Sequence, residues 1–124
     1  MTPSARVQAA IEVLDLVIAE ARRGGAPADR LITDWFRTRR FAGSGDRRAV
    51  RDLVYRAIRQ CGEIPRDGRS AMLAVAGQDP AVAGLFDGSR HAPAFVQPGE
   101  PAAPRGIAPR WVETLLGESG ISGE

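Results

Sequence analysis

Lysine is missing from this chain altogether: all 17 basic side chains are arginine. Cysteine and histidine occur once each, as Cys61 and His91. A single cysteine rules out an intrachain disulfide, and with only one histidine beside it no closed zinc site of cysteine and histidine ligands can form. Such cysteine use fits a reducing compartment, so a cytoplasmic location is expected. No run of about 20 apolar residues is present to cross a bilayer as a helix, and the opening residues do not read as a secretory leader. No membrane partner is expected. Aromatic residues make up only 6% of the chain, and 20 residues are alanine. The core is therefore expected to be light and helical. No stretch alternates apolar and polar residues for long enough to make a convincing strand. The 124 residues suit one domain.

What is present is charge, unevenly spread. The net charge is only +2. Residues 1–60 carry 12 Arg against 7 acids, whereas residues 61–124 carry 5 Arg against 8 acids. Within 37–59 there are 8 Arg and 2 Asp, a local balance of +6. Complete use of arginine in place of lysine matches codon bias in a GC-rich genome better than selection for phosphate contact. The clustering says more than the residue type.

Helical periodicity organises the first two thirds. Thr2 caps and Pro3 starts a first helix; Val7, Ile11, Leu14, Ile18 and Ala21 recur on one face. Arg22 and Arg23 complement the helix dipole before Gly24 stops it. A second helix is expected from Pro27 to about Arg40, with Leu31, Ile32, Trp35 and Phe36 inward. Ser44 is expected to cap a third, reaching about Gln60 with Val50, Leu53, Val54, Ala57, Ile58 and Cys61 on one face. Short helices follow over about 69–76 and 80–86. From Asp87 to Pro109, five prolines and three glycines read as an extended linker outside the core. A last short helix is expected over Pro109–Leu116, with Trp35 in the core and Trp111 packing back from the tail. The reading is all-α, with three parts: a helical bundle over 1–87, a Pro/Gly-rich linker over 88–108, and a short helix with a frayed tail over 109–124.

Most catalytic routes are closed. His91 lies beside Ala92-Pro93 with no orienting partner near it in sequence, so it reads as a surface histidine. Cys61 reads as a small buried hydrophobe. No nucleophile elbow, Walker loop or dinucleotide fingerprint is present. No catalytic residue, metal ligand or cofactor-binding residue is assigned to this chain.

The third helix is the informative element. Its outer side carries Arg47, Arg48, Arg51, Arg56 and Arg59, and Arg51, Tyr55 and Arg59 form an arginine–aromatic–arginine row at a spacing of four. Arginine binds phosphate bidentately, and tyrosine stacks on an unpaired base. In the competing reading this is a solvated face on which Asp52 pairs with Arg48 and Arg56 while Tyr55 simply packs. Arg37, Arg39, Arg40 and Phe41 precede the helix start, where free backbone amides favour an anion near Ser44. Asp46 opposes that anion unless it is paired. The candidate RNA-binding set is Arg37, Arg39, Arg40, Ser44, Arg47, Arg48, Arg51, Tyr55 and Arg59.

The run Gly45-Asp46-Arg47-Arg48-Ala49-Val50-Arg51-Asp52-Leu53-Val54-Tyr55-Arg56-Ala57-Ile58-Arg59 resembles the Asp-Arg helix of the NusB family. The opening from Thr2 to Leu14, the segment Arg40–Arg47 and the later Arg90-His91-Ala92-Pro93 are similar to one branch, the Sun/Fmu (RsmB-type) RNA methyltransferases. These make 5-methylcytosine in small-subunit ribosomal RNA. The resemblance implies a NusB-like bundle of about five to six helices with an extended C-terminal segment. It would bind RNA and present it to a methyltransferase domain in cis. S-adenosylmethionine and the Pro-Cys nucleophile would belong to that catalytic domain, which is not in this chain. Cys61, in Gln-Cys-Gly, does not match that nucleophile, and the part after Cys61 departs from the NusB pattern. The chain alone is expected neither to bind S-adenosylmethionine nor to transfer a methyl group. Two other readings stand beside this one: a free antitermination-type factor acting with a protein partner, and an interaction domain with little RNA contact. NusB relatives also dimerise, so a homodimer is among the expected partners.

Overall fold

A computed structural model describes residues 1–106. The helix expected over Pro109–Leu116, and Trp111 with it, lie outside the described residues. The architecture is all-α, with α1 Pro3–Arg23, α2 Ala28–Arg37, α3 Ser44–Gln60, α4 Gly68–Ala76 and α5 Pro80–Ala83. Among the described residues the only β-type pairing is a single antiparallel bridge between Cys61 and Arg105.

Helix α1 is the hub: α2, α3 and α4 all pack on it. Its ends follow their chemistry. The Thr2 hydroxyl accepts from the Ala5 amide at 3.0 Å, and Gly24 closes the helix in the left-handed conformation at φ 69°. Val7, Ala10, Val13, Leu14 and Val17 are buried along its length. Against them lie Ile32, Trp35 and Phe36 from α2, Val50, Val54 and Ile58 from α3, and Met72 and Val75 from α4. Leu53 is only partly buried, at the margin of this core rather than within it. Helix α4 starts hard against α1. The Gly68 amide donates to Asp15 Oδ1 at 2.7 Å, and a Cβ at Gly68 would overlap the Ile11 carbonyl oxygen. Asp67 caps α4 through the Ser70 amide at 2.8 Å.

Three boundaries differ from the sequence expectation. Helix α2 stops at Arg37 rather than Arg40, because the Arg39 amide bonds the Phe36 carbonyl at 3.0 Å. The Trp35 carbonyl, which a continued helix would have given to that amide, accepts from the Arg39 guanidinium at 2.8 Å instead. Ser44 is the first residue of α3 and Gly43 is its cap. Asp46 reaches back to the Gly43 amide at 2.9 Å, the return half of a capping box, while no side chain caps the helix in the way expected of the serine. Helix α5 ends at Ala83, and the chain continues to Phe86 in tighter turns.

The segment expected to be a linker outside the core is corrected more fully. Residues 87–106 run back over the bundle, and Pro93 and Ala103 are buried. Arg69 organises the return: its guanidinium pairs with Glu100 at 2.5 Å and donates to the Ala94 and Phe95 carbonyls, both at 3.1 Å. The Ala103 amide bonds the Ser70 carbonyl at 2.9 Å. Past α3, the Gly62 amide bonds the Pro104 carbonyl and the Gly106 amide bonds the Gln60 carbonyl. There two glycines face each other so closely that a Cβ on Gly106 would overlap Gly62 Cα. Proline richness signals extended backbone, but here polar groups along it are satisfied by the half-buried Arg69 and by the backbone of Ser70, Gln60 and Gly62.

Candidate nucleic-acid interface

The α2–α3 loop and the outer side of α3 hold the candidate set, and Asp46 decides the electrostatics there. Its side chain is buried and accepts from the Gly43 amide, from Arg6 Nε at 2.9 Å, and from the Met1 amino group at 3.5 Å. The Gly43 amide and then the Arg6 guanidinium hold its carboxyl below the usual aspartate range. The carboxylate at the start of α3 therefore faces inward and is neutralised by α1. It also occupies the place at the helix start where an external anion was expected beside Ser44. Ser44 itself is exposed.

Arg40, Arg47, Arg48 and Arg59 are exposed and have no carboxylate partner among the described residues. Four arginines of the set lie over aromatic rings, two of them, Arg51 and Arg59, over Tyr55. The Arg39 guanidinium lies 3.7 Å from the Trp35 ring centroid, and that of Arg47 lies 5.8 Å from Phe36. Arg37 is tied to Asp34 at 3.4 Å, and Arg51 to Asp29 at 3.1 Å. The carboxylate pairings expected within α3 do not form. Arg56 bonds Asp79 at 2.9 Å across to α5, and Asp52 has no ion pair among the described residues.

Tyr55 is the main correction to the set. Its side chain is only 8% exposed, between Arg51 and Arg59 whose guanidiniums lie 5.4 and 5.6 Å from the ring centroid. Its hydroxyl donates to Asp29 Oδ1 at 2.8 Å. Burial first, and then the Asp29 hydrogen bond, push the phenol up to about 12. The row predicted from the spacing exists, but its aromatic face is covered by its own arginines and by α2. No base reaches this ring without displacing them.

Cys61 follows the packing reading. It is fully buried at the end of α3, and burial pushes its thiol up to about 11, away from the nucleophilic thiolate. Among the described residues no group of three or more His, Cys, Asp or Glu side chains is placed to hold a metal ion. No described helix is long and apolar enough to cross a membrane.

Sequence spacing does not reveal a groove of about 600 Å³ beside this surface, between the start of α1, the α2–α3 loop and the turn at 90–91. Phe41, Trp35, Arg39, Arg90, His91 and Glu12 are among its lining residues. Phe41 is 73% exposed. Arg90 and His91 arrive from far along the chain, and the Ser4–Asp87 hydrogen bond that anchors their turn, at 2.9 Å, leaves no periodic signal in the sequence. Set against family models, curated proteins and solved structures, the chain matches none of them.

Proposed function

We propose that residues 37–59 form the RNA-contacting surface of a helical accessory domain. On the Sun/Fmu resemblance, this domain presents small-subunit ribosomal RNA to a cytosine-C5 methyltransferase domain outside this chain. One observation carries the reading. The acid within the basic α3 start, Asp46, is turned inward and neutralised by Arg6, which leaves Arg40, Arg47 and Arg48 facing outward with no carboxylate partner among the described residues. A merely solvated face would be expected to pair those arginines with the neighbouring acids, as Arg51 and Arg56 are paired. Planar guanidiniums suit phosphate recognition.

The test is RNA affinity as a function of salt. The parent chain should bind a small-subunit ribosomal RNA fragment with an affinity that falls steeply as salt rises. The triple variant Arg40→Gln, Arg47→Gln, Arg48→Gln should bind more weakly, and its salt slope should flatten by about one unit per lost phosphate contact. All three side chains are exposed, so the melting temperature should stay near that of the parent. A folded triple variant with parental affinity and parental slope sinks the proposal, and the protein-interaction reading then leads.

A further inference from the structure

The groove beside the basic surface brings together an exposed aromatic ring and two arginines, Arg39 and Arg90, that are far apart in the chain. Among the described residues Phe41 is the most exposed of the large apolar side chains at 73%, and it projects from the loop between α2 and α3. On one side Arg39 is held over the Trp35 ring, 3.7 Å from its centroid, and bonded to the Trp35 carbonyl. Arg90 and His91 line the groove from the 87–92 turn.

That turn is built rather than loose. Asp87 accepts from the Ser4 hydroxyl on α1 and from the amide and hydroxyl of Ser89, at 2.9, 3.0 and 2.6 Å. The Ala92 amide closes onto the Ser89 carbonyl, and the Gly88 amide onto that of Pro93. His91 adopts φ 65°, a conformation that residues other than glycine rarely take and that surrounding contacts must impose. Among the described residues the only carboxylate lining the groove, Glu12, accepts from Gln8 at 3.2 Å.

An apolar helix laid into this groove would cover Phe41 but would also bury the Arg39 and Arg90 guanidiniums, against which the groove sets the single carboxylate of Glu12. A flat π-system with anionic groups beside it matches both the ring and the cations. Resting on the RNA-binding reading above, we infer that the groove takes one unpaired nucleotide of an RNA strand. Its base stacks on Phe41, and the phosphates on either side meet Arg39 and Arg90. The volume of about 600 Å³ accommodates a nucleotide and lies in the usual range of small-ligand sites. A duplex keeps its bases stacked inside and has none to offer.

The experiment compares the whole chain and its variants on two fluorescent probes, a single-stranded hexaribonucleotide and a blunt RNA duplex, with melting curves as controls. Phe41→Ala should stay folded and lose roughly 5- to 150-fold in affinity for the single strand, the span of one base–aromatic stack, at an unchanged salt slope. Its duplex binding should match the parent. Arg90→Gln should weaken single-strand binding and flatten the slope by about one unit. Parental single-strand affinity in a folded Phe41→Ala overturns the inference. If binding to either probe then still depends on Arg40, Arg47 and Arg48, the broader RNA reading survives. A parent that binds neither probe removes both. A parent that sediments as a dimer, and becomes a monomer in Phe41→Ala, assigns the groove to a second copy of this chain and also overturns the inference.

Discussion

The Tyr55 hydroxyl donates to Asp29 Oδ1 at 2.8 Å, and the same oxygen receives the Arg51 guanidinium at 3.1 Å. Two residues one turn apart on α3 thus converge on the first turn of α2. This tie fixes the angle between the helices that flank the basic loop. It also turns a side chain that reads as a stacking platform into a structural one.

Replacing Tyr55 therefore tests stability before it tests RNA. Tyr55→Phe keeps the ring between its arginines and loses one hydrogen bond, which should cost about 0.5–1.5 kcal/mol. Tyr55→Ala should cost about 3–5 kcal/mol, as for other large buried aromatics. The phenol should ionise near 12 in the folded protein and near its ordinary value, 10.0, once unfolded. Its contribution is whole below that ordinary value and is lost as pH rises towards 12. Ultraviolet absorbance titration with and without urea reads both values. Ionisation of the folded protein at the ordinary value would remove the tie.

Leu14 of α1 and Leu53 of α3 should behave unequally. Leu14 is fully buried, so Leu14→Ala should cost about 2–5 kcal/mol. Leu53 is only partly buried, so Leu53→Ala should cost about half as much. Urea denaturation of both variants checks the ratio, and equal losses would place Leu53 deeper than the packing allows.

Gly68 should tolerate even one added methyl group poorly. Gly68→Ala puts a Cβ into the Ile11 carbonyl oxygen, so α4 must move off α1. The expected cost is about 1–3 kcal/mol, as for other overpacked contacts. Gly77 ends the same helix at φ −65°, and its nearest neighbouring atom to a new Cβ lies at 3.5 Å. Gly77→Ala should be neutral or slightly stabilising. Thermal melts of the pair separate close approach from a general intolerance of change in this helix.

The return segment should come loose in acid. The Arg69 guanidinium, followed by the Gln97 amide, holds the Glu100 carboxyl at about 2 against an ordinary 4.5. A lowered carboxylate stabilises the fold above its ordinary value, and that contribution fades as pH falls from 4.5 towards 2. Limited proteolysis within 94–102 should accelerate over that window in the parent. Glu100→Gln should be cut faster already at neutral pH, with a weaker acid dependence. Equal cleavage of both at neutral pH would mean that Arg69 does not fasten the segment.

Local chemistry was legible wherever one short stretch of chain settles it. The cap at Thr2, the stop at Gly24, the inward stripe of α1 and the arginine cluster over 37–59 are all functions of neighbours within a few residues. Hydrophobic period and capping act at that range, so the all-α architecture could be read directly. The errors fall where a side chain takes over a polar group outside the regular helix pattern, from four residues away at Arg39 to 26 at Asp29. Arg39 captured the Trp35 carbonyl and ended α2 early. Asp29 captured the Tyr55 hydroxyl, and Arg69 turned a proline-rich stretch into packed structure. The groove depends on Ser4 meeting Asp87, a contact across 83 residues that periodicity cannot encode. Sequence alone determined the helices and where positive charge gathers, because both arise from residues close together in the chain. Only the tertiary structure decided which charges stay uncompensated and which aromatic ring is open, because pairing and burial depend on what the fold brings alongside.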